Sequence, residues 1–126
     1  MQAPAKESKT LLVADDDEWL RDMLSVLLEG EGVNLLEAAN GTDAVRVACE
    51  RHPNAILLDI GMPGLSGLEV LDVLRNGDST RDIPVVLLSG EINLLDTGHA
   101  YDAEAAFHKP LDFGMFLAKV RELIES

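Results

Sequence analysis

Leu11-Leu12-Val13-Ala14-Asp15-Asp16-Asp17 is the stretch on which the reading of this chain turns: four apolar residues, then three carboxylates. An apolar run without alternation is what a strand covered on both faces requires, and the sudden change to aspartate marks where the backbone leaves the core. Three other runs end the same way. Residues 55–58 lead into Asp59, followed by Ile60, Gly61, Met62 and Pro63; residues 84–88 lead into Ser89; residues 105–108 lead into Lys109 and Pro110. If these runs are parallel strands of one sheet, their carboxyl ends bring carboxylates, a hydroxyl and an ammonium to one edge. In open α/β sheets that is the edge where ligands bind.

The segments between the runs support this arrangement. Over residues 18–29, Leu20, Met23, Leu24, Leu27 and Leu28 recur at helical spacing, and Gly30 and Gly32 end the pattern. Residues 33–38 read as a weaker strand, after which Thr42 or Asp43 is expected to cap a helix running to about His52. The loop holding Gly61, Pro63, Gly64 and Gly67 has too many breakers for either element. Leu68, Leu71 and Leu74 share a helical face over residues 68–75, residues 83–88 form the fourth strand, and residues 112–125 form the last helix. Residues 91–102 are expected to hold a short or irregular helix, and residues 1–8 a frayed tail before a single domain over 9–126. Strand and helix thus alternate five times, the pattern of a five-stranded parallel sheet between two helix layers.

The 126 residues suit one domain with its own core, and 47% apolar with 26% charged is an ordinary globular balance. The formal charge of −13 disfavours direct contact with nucleic acid, which needs a basic face, and equally an anionic membrane surface. No run approaches the length of a membrane span, and a cytoplasmic location is expected. The single cysteine, Cys49, lies among Ala44, Val45, Val47 and Ala48 and reads as buried filler.

Adjacent carboxylates at the end of a buried strand repel one another, and a hard divalent cation relieves that conflict. Asp16, with Asp59 as its neighbour across the sheet, is the main candidate ligand, whereas Asp17 reads as a helix cap. A carboxylate beside such a cation is a competent nucleophile for phosphoryl transfer. That chemistry depends on positioning and on neutralising the phosphoryl oxygens, for which Ser89 and Lys109 supply a donor and a charge. Trp19 is expected to be partly exposed beside the acidic cluster, Phe107 to be core, and His108 to be strand surface.

These residues, in this order, are similar to the receiver domains of bacterial two-component response regulators. Val13-Ala14-Asp15-Asp16-Asp17 resembles the acidic pocket of that family and Asp59-Ile60-Gly61-Met62-Pro63, with Gly67 beyond, its phosphoacceptor loop. Leu87-Leu88-Ser89-Gly90 resembles the switch-hydroxyl strand, and Lys109-Pro110 the lysine with its following cis proline. The resemblance covers about residues 9–125. It implies a doubly wound, flavodoxin-like α/β sandwich with strand order 2-1-3-4-5. It further implies that Asp59 accepts a phosphoryl group from a sensor histidine kinase or phosphotransfer protein. Asp16 and Asp59 would hold Mg2+ or Mn2+, Asp15 would hold it through water, and Gly61 would contribute its carbonyl. Ser89 and Lys109 would contact the phosphoryl oxygens, and a downstream effector protein or domain would read the result. Such a module is no enzyme beyond its own phosphorylation and dephosphorylation, and would be a monomer or weak dimer.

Two features depart from the family pattern. The family usually carries an aromatic three residues before the lysine, where this chain has Ala106, and the span from Ser89 to Lys109 is about two residues short. His99 and Tyr101 lie nearby and read as ordinary surface, with standing in for that aromatic as their alternative role. The missing aromatic leaves a scaffold that binds partners without phosphate as one alternative. A small magnesium-dependent phosphatase is another, since Asp15-Asp16-Asp17 fits an Asp-x-Asp pattern, although Glu18 and Trp19 fit its continuation poorly.

Overall fold

The computed structural model describes residues 9–90 and 103–125 of the chain. The strands are β1 (Lys9–Ala14), β2 (Val33–Ala38), β3 (Ala55–Asp59), β4 (Val85–Ser89) and β5 (Ala105–His108). The helices of these residues are α1 (Glu18–Gly30), α2 (Gly41–Arg51), α3 (Gly67–Asn76) and α4 (Phe113–Glu125). All strand pairs are parallel, and their order is β2-β1-β3-β4-β5. This is the doubly wound sheet and the strand order that the resemblance implies. The expected tail at residues 1–8 and the irregular helix at 91–102, with His99 and Tyr101, lie outside the described residues.

Side-chain alternation along the strands sorts the core into two halves. Leu12, Ala14, Ile56, Leu58, Val85 and Leu87 pack under α2 and α3, together with Ala44, Ala48, Val70, Leu71 and Leu74. Leu11, Val13, Ala55, Leu57, Val86 and Leu88 pack on the other face against Leu20, Leu24, Leu28, Phe116, Val120 and Ile124 of α1 and α4. The central strands β3 and β4 are buried along their whole length, as continuous apolar runs require.

Several boundaries differ from the sequence reading, each for a local reason. The cap of α2 is Asn40, whose Oδ1 accepts the Asp43 amide at 2.8 Å, so Thr42 and Asp43 already lie inside the helix. The helix α3 starts one residue early because Ser66 and Glu69 form a reciprocal capping box. The strand β4 starts at Val85, since Pro84 has no N–H to donate, although its carbonyl still accepts Ile56 N at 2.9 Å. Asp112 caps the last helix, accepting Met115 N at 3.0 Å. Cys49 is exposed, contrary to expectation. The buried face of α2 is Gly41, Ala44 and Ala48, and the residue after Ala48 lies about 100° further round the helix.

Candidate functional site

The same alternation that builds the core assembles the site. Asp15 follows Leu11 and Val13, Asp59 follows Ala55 and Leu57, and Lys109 follows Ala105 and Phe107, all facing the α1–α4 layer. The ladder continues one residue past β1 and β5, through Asp15 N to Ala38 O at 3.0 Å and Lys109 N to Ser89 O at 2.8 Å. Asp15 and Lys109 therefore leave the sheet in strand geometry. Lys109 Nζ lies 3.3 Å from Asp15 Oδ2 and 3.4 Å from Asp59 Oδ2, bridging the two carboxylates. The Lys109–Pro110 peptide is cis.

Local hydrogen bonds aim each carboxylate. Asp15 Oδ1 accepts the Asp17 amide at 2.9 Å, and Asp59 Oδ1 accepts the Gly61 amide at 3.0 Å. In both residues one oxygen is held by the loop and the other faces the lysine. Asp17 caps α1 by accepting the amides of Trp19 at 3.0 Å and Leu20 at 3.3 Å, as its sequence position suggested. Asp16 is exposed, and its carboxylate joins those of Asp15 and Asp59 with one oxygen of each within 4.8 Å of the others.

The electrostatics follow from burial. Desolvation raises the pKa of the fully buried Asp15, against the pull of the Asp17 amide; Asp59 pushes it further up and Lys109 opposes the rise. Burial alone would lower the pKa of Lys109, but Asp15 and Asp59 outweigh it and hold the ammonium above the usual lysine value.

Asp15 Oδ2 is buried and accepts no hydrogen bond; its contact with Lys109 is an ion pair without hydrogen-bond alignment. A buried anionic oxygen left in that state is unfavourable in itself. Together with the two neighbouring carboxylates it offers oxygen donors of the kind a hard divalent cation takes, one or two protein carboxylates with water completing the shell.

The remaining candidates occupy distinct places. Ser89 is buried at the end of β4. It stands one residue beyond Leu88, the register partner of Asp59. Phe107 packs edge-to-face on Phe116 with centroids 6.4 Å apart, so the one aromatic of β5 belongs to the core, while Ala106 and His108 are exposed. Trp19 is 63% exposed. With Leu20, Leu111 and Phe113 it lines a groove of about 460 Å3 that opens onto Lys109.

Two further residues support the site. Gly67 opens α3 against the exit of β3; a Cβ there would lie 2.6 Å from Ile60 Cα and closer still to Asp59 O. Sequence reasoning placed this glycine in the loop without that contact. Arg21 of α1 was missed. Its Nη1 donates to Asp15 O at 2.6 Å and its Nε to Glu37 at 3.0 Å. The available signal was a cation near a helix N-terminus, where the helix dipole disfavours it unless a specific partner holds it.

Comparison with known proteins agrees with this geometry. A model of the response regulator receiver domain matches residues 11–121. The phosphate regulon transcriptional regulatory protein PhoB of Pseudomonas aeruginosa is 35% identical over 118 residues, 92% of this chain and 52% of PhoB. The DNA-binding response regulator MtrA of Mycobacterium tuberculosis is 35% identical over 113 residues, 88% of this chain and 48% of MtrA. The chain thus spans about half the length of the curated relatives it matches. Response regulator TrrA of Thermotoga maritima, crystallised with Mg2+-BeF, superposes with a TM-score of 0.83 at 30% identity, over 91% of this chain and 98% of that one. The strand order, the carboxylates gathered at the ends of β1 and β3, the lysine bridging them and the family match place this chain in the response regulator receiver domain family.

Proposed function

We propose that Asp59 accepts a phosphoryl group from the phosphohistidine of a sensor kinase or phosphotransfer protein in the cytoplasm, and that an effector protein or domain reads the modified surface. The observation that carries this reading is Lys109 Nζ, held between Asp15 Oδ2 and Asp59 Oδ2 at 3.3 and 3.4 Å. One ammonium beside a cluster of three carboxylates leaves a surplus of negative charge that a divalent cation at the cluster would relieve.

Asp16 and Asp59 would hold Mg2+ or Mn2+, with Asp15 acting through water and Gly61 through its carbonyl. When bound, the cation would neutralise phosphoryl oxygens. The chain's own groups do the rest. The Gly61 amide fixes Asp59 Oδ1 and leaves Oδ2 as the attacking oxygen. As the Oδ2–P bond forms, the P–N bond to the donor imidazole breaks, and the imidazole leaves with the electron pair and takes a proton from solvent. Lys109 then exchanges its ion pair with Asp59 for one with a phosphoryl oxygen, and the Ser89 hydroxyl donates to another. Ser89 ends β4 one residue beyond Leu88, the register partner of Asp59, so that contact would reach the end of β4, which is a means of carrying the signal outward.

The Asp-x-Asp phosphatase reading is weaker on this geometry, because Asp17 is committed to capping α1. Contact with DNA is a property in the name of MtrA, a protein about twice the length of this chain; the charge of −13 speaks against it here. The test is intact mass after incubation with Mg2+ and acetyl phosphate. The wild type gains one phosphoryl group and Asp59→Asn gains none; equal labelling of the two refutes the assignment.

A further inference from the structure

Arg21 is 14% exposed at its side chain, although the chain carries 23 acidic residues that could hold its charge at the surface. A guanidinium buried to that degree needs fixed partners. It divides its donors between the Asp15 carbonyl, at 2.6 Å, and Glu37 of β2, at 3.0 Å. Glu37 sits in register with Val13, so the anchor stands on the strand beside β1.

Asp15 is consequently fixed at three points. Its N–H donates to Ala38 O, its Oδ1 accepts Asp17 N, and its carbonyl accepts Arg21 Nη1. The carbonyl bond has the larger consequence, because the peptide joining Asp15 to Asp16 is planar. Holding its oxygen fixes the orientation of that plane, and with it the direction in which Asp16 leaves the chain toward Asp59. We propose that Arg21 is a positioning residue of the cation site, clamping the Asp15–Asp16 peptide against β2 so that the Asp16 carboxylate meets those of Asp15 and Asp59. This rests on the cation-binding reading of the acidic cluster given above.

Positioning and simple charge make opposite predictions. Removing a cation near three carboxylates should tighten binding of a divalent ion on Coulombic grounds alone. Loss of a clamp should weaken it, by about tenfold where a group that orients a metal ligand is removed. The experiment is Mn2+ binding by titration calorimetry on the whole chain, unphosphorylated, for the wild type, Arg21→Gln, Arg21→Lys and Asp16→Asn. Arg21→Gln is expected to bind Mn2+ about tenfold more weakly; equal or tighter binding overturns the proposal. Arg21→Lys keeps the charge and loses the two-point fork, so it too binds more weakly, and unchanged affinity counts against the clamp even if Arg21→Gln does not fold. Asp16→Asn separates the two layers of the reading. If it binds Mn2+ like the wild type, the cation site itself is misassigned; if it loses binding while both Arg21 variants keep theirs, the clamp alone is wrong.

Discussion

Asp15→Asn is expected to make the metal-free protein more stable, although it alters a fully buried residue that is held by hydrogen bonds. At an effective dielectric of about 20, two unit charges 4.8 Å apart interact by about 3.5 kcal/mol. Asp15 faces two carboxylates at that range or nearer, and one ammonium at 3.3 Å contributing about 5 kcal/mol of attraction. Repulsion exceeds attraction, desolvation adds to the excess, and solvent around the exposed Asp16 reduces it. Asparagine keeps the shape and the Oδ1 acceptor for Asp17 N, so the expected gain at pH 7 in EDTA is about 1–2 kcal/mol. With a urea slope of roughly 2 kcal/mol/M the unfolding midpoint rises by about 0.5–1 M. Saturating Mg2+ reverses the order, since a ligand at 100 times its Kd adds about 2.7 kcal/mol to the protein that binds it.

The pH dependence carries the same sign. Because the folded-state pKa of Asp15 is raised, the folded protein binds this proton more tightly than the unfolded chain. Its charge therefore destabilises fully above the raised pKa and not at all well below 3.8, and the wild type loses stability relative to the variant as pH rises through that window. A variant less stable than the wild type in EDTA at pH 7, or a difference that does not shrink as pH falls toward 3.8, refutes the reasoning.

Gly67→Ala drives a Cβ into the backbone of Asp59 and Ile60, so it should lower stability by about 1–3 kcal/mol in urea unfolding and slow the acetyl phosphate labelling of Asp59. An unchanged midpoint would show that the close approach is not required. Asp17→Ala removes the cap of α1 and should cost about 1 kcal/mol while Asp59 is still labelled to one phosphoryl group by intact mass; loss of labelling would return Asp17 to the chemistry.

The parts of this protein legible in its sequence were those decided by near neighbours. Continuous apolar runs gave the strands, helical spacing gave α1 and α3, and the polar residue ending a run gave Asp15, Asp59 and Lys109, which the structure brings together. What escaped depended on distant parts of the chain or on helix phase. Cys49 reads as core by composition, and only the phase set by Gly41, Ala44 and Ala48 turns it outward. Arg21 acquires its role from a carbonyl six residues back and a carboxylate on β2, a pairing that exists only once α1 has folded across β1. Gly67 looks like an ordinary loop breaker until α3 is packed against the exit of β3. The cap of α2 lies at Asn40, two or three residues before the expected Thr42 or Asp43, because Asn, Ser, Thr and Asp all cap well and local geometry chooses among them.

The register of the sheet decides the site as much as it decides the core. Side chains alternate with a period of two, so a one-residue slip sends a strand's whole set to the opposite face. Such a slip in β5 would turn Phe107 out of its contact with Phe116 and Lys109 away from both aspartates. The apolar contact and the ion-pair bridge thus select the same register on an edge strand of four residues. The two contributions differ in kind. The phenylalanine contact favours the register whatever the solution conditions, whereas the lysine's depends on the two carboxylates opposite it being charged. Phosphorylation of Asp59 would replace one of those carboxylates with a more highly charged group while leaving the apolar contact alone. The end of β5 is therefore where a change at Asp59 can alter local geometry without unfolding the sheet, because its core side chain stays anchored while its functional one is redirected.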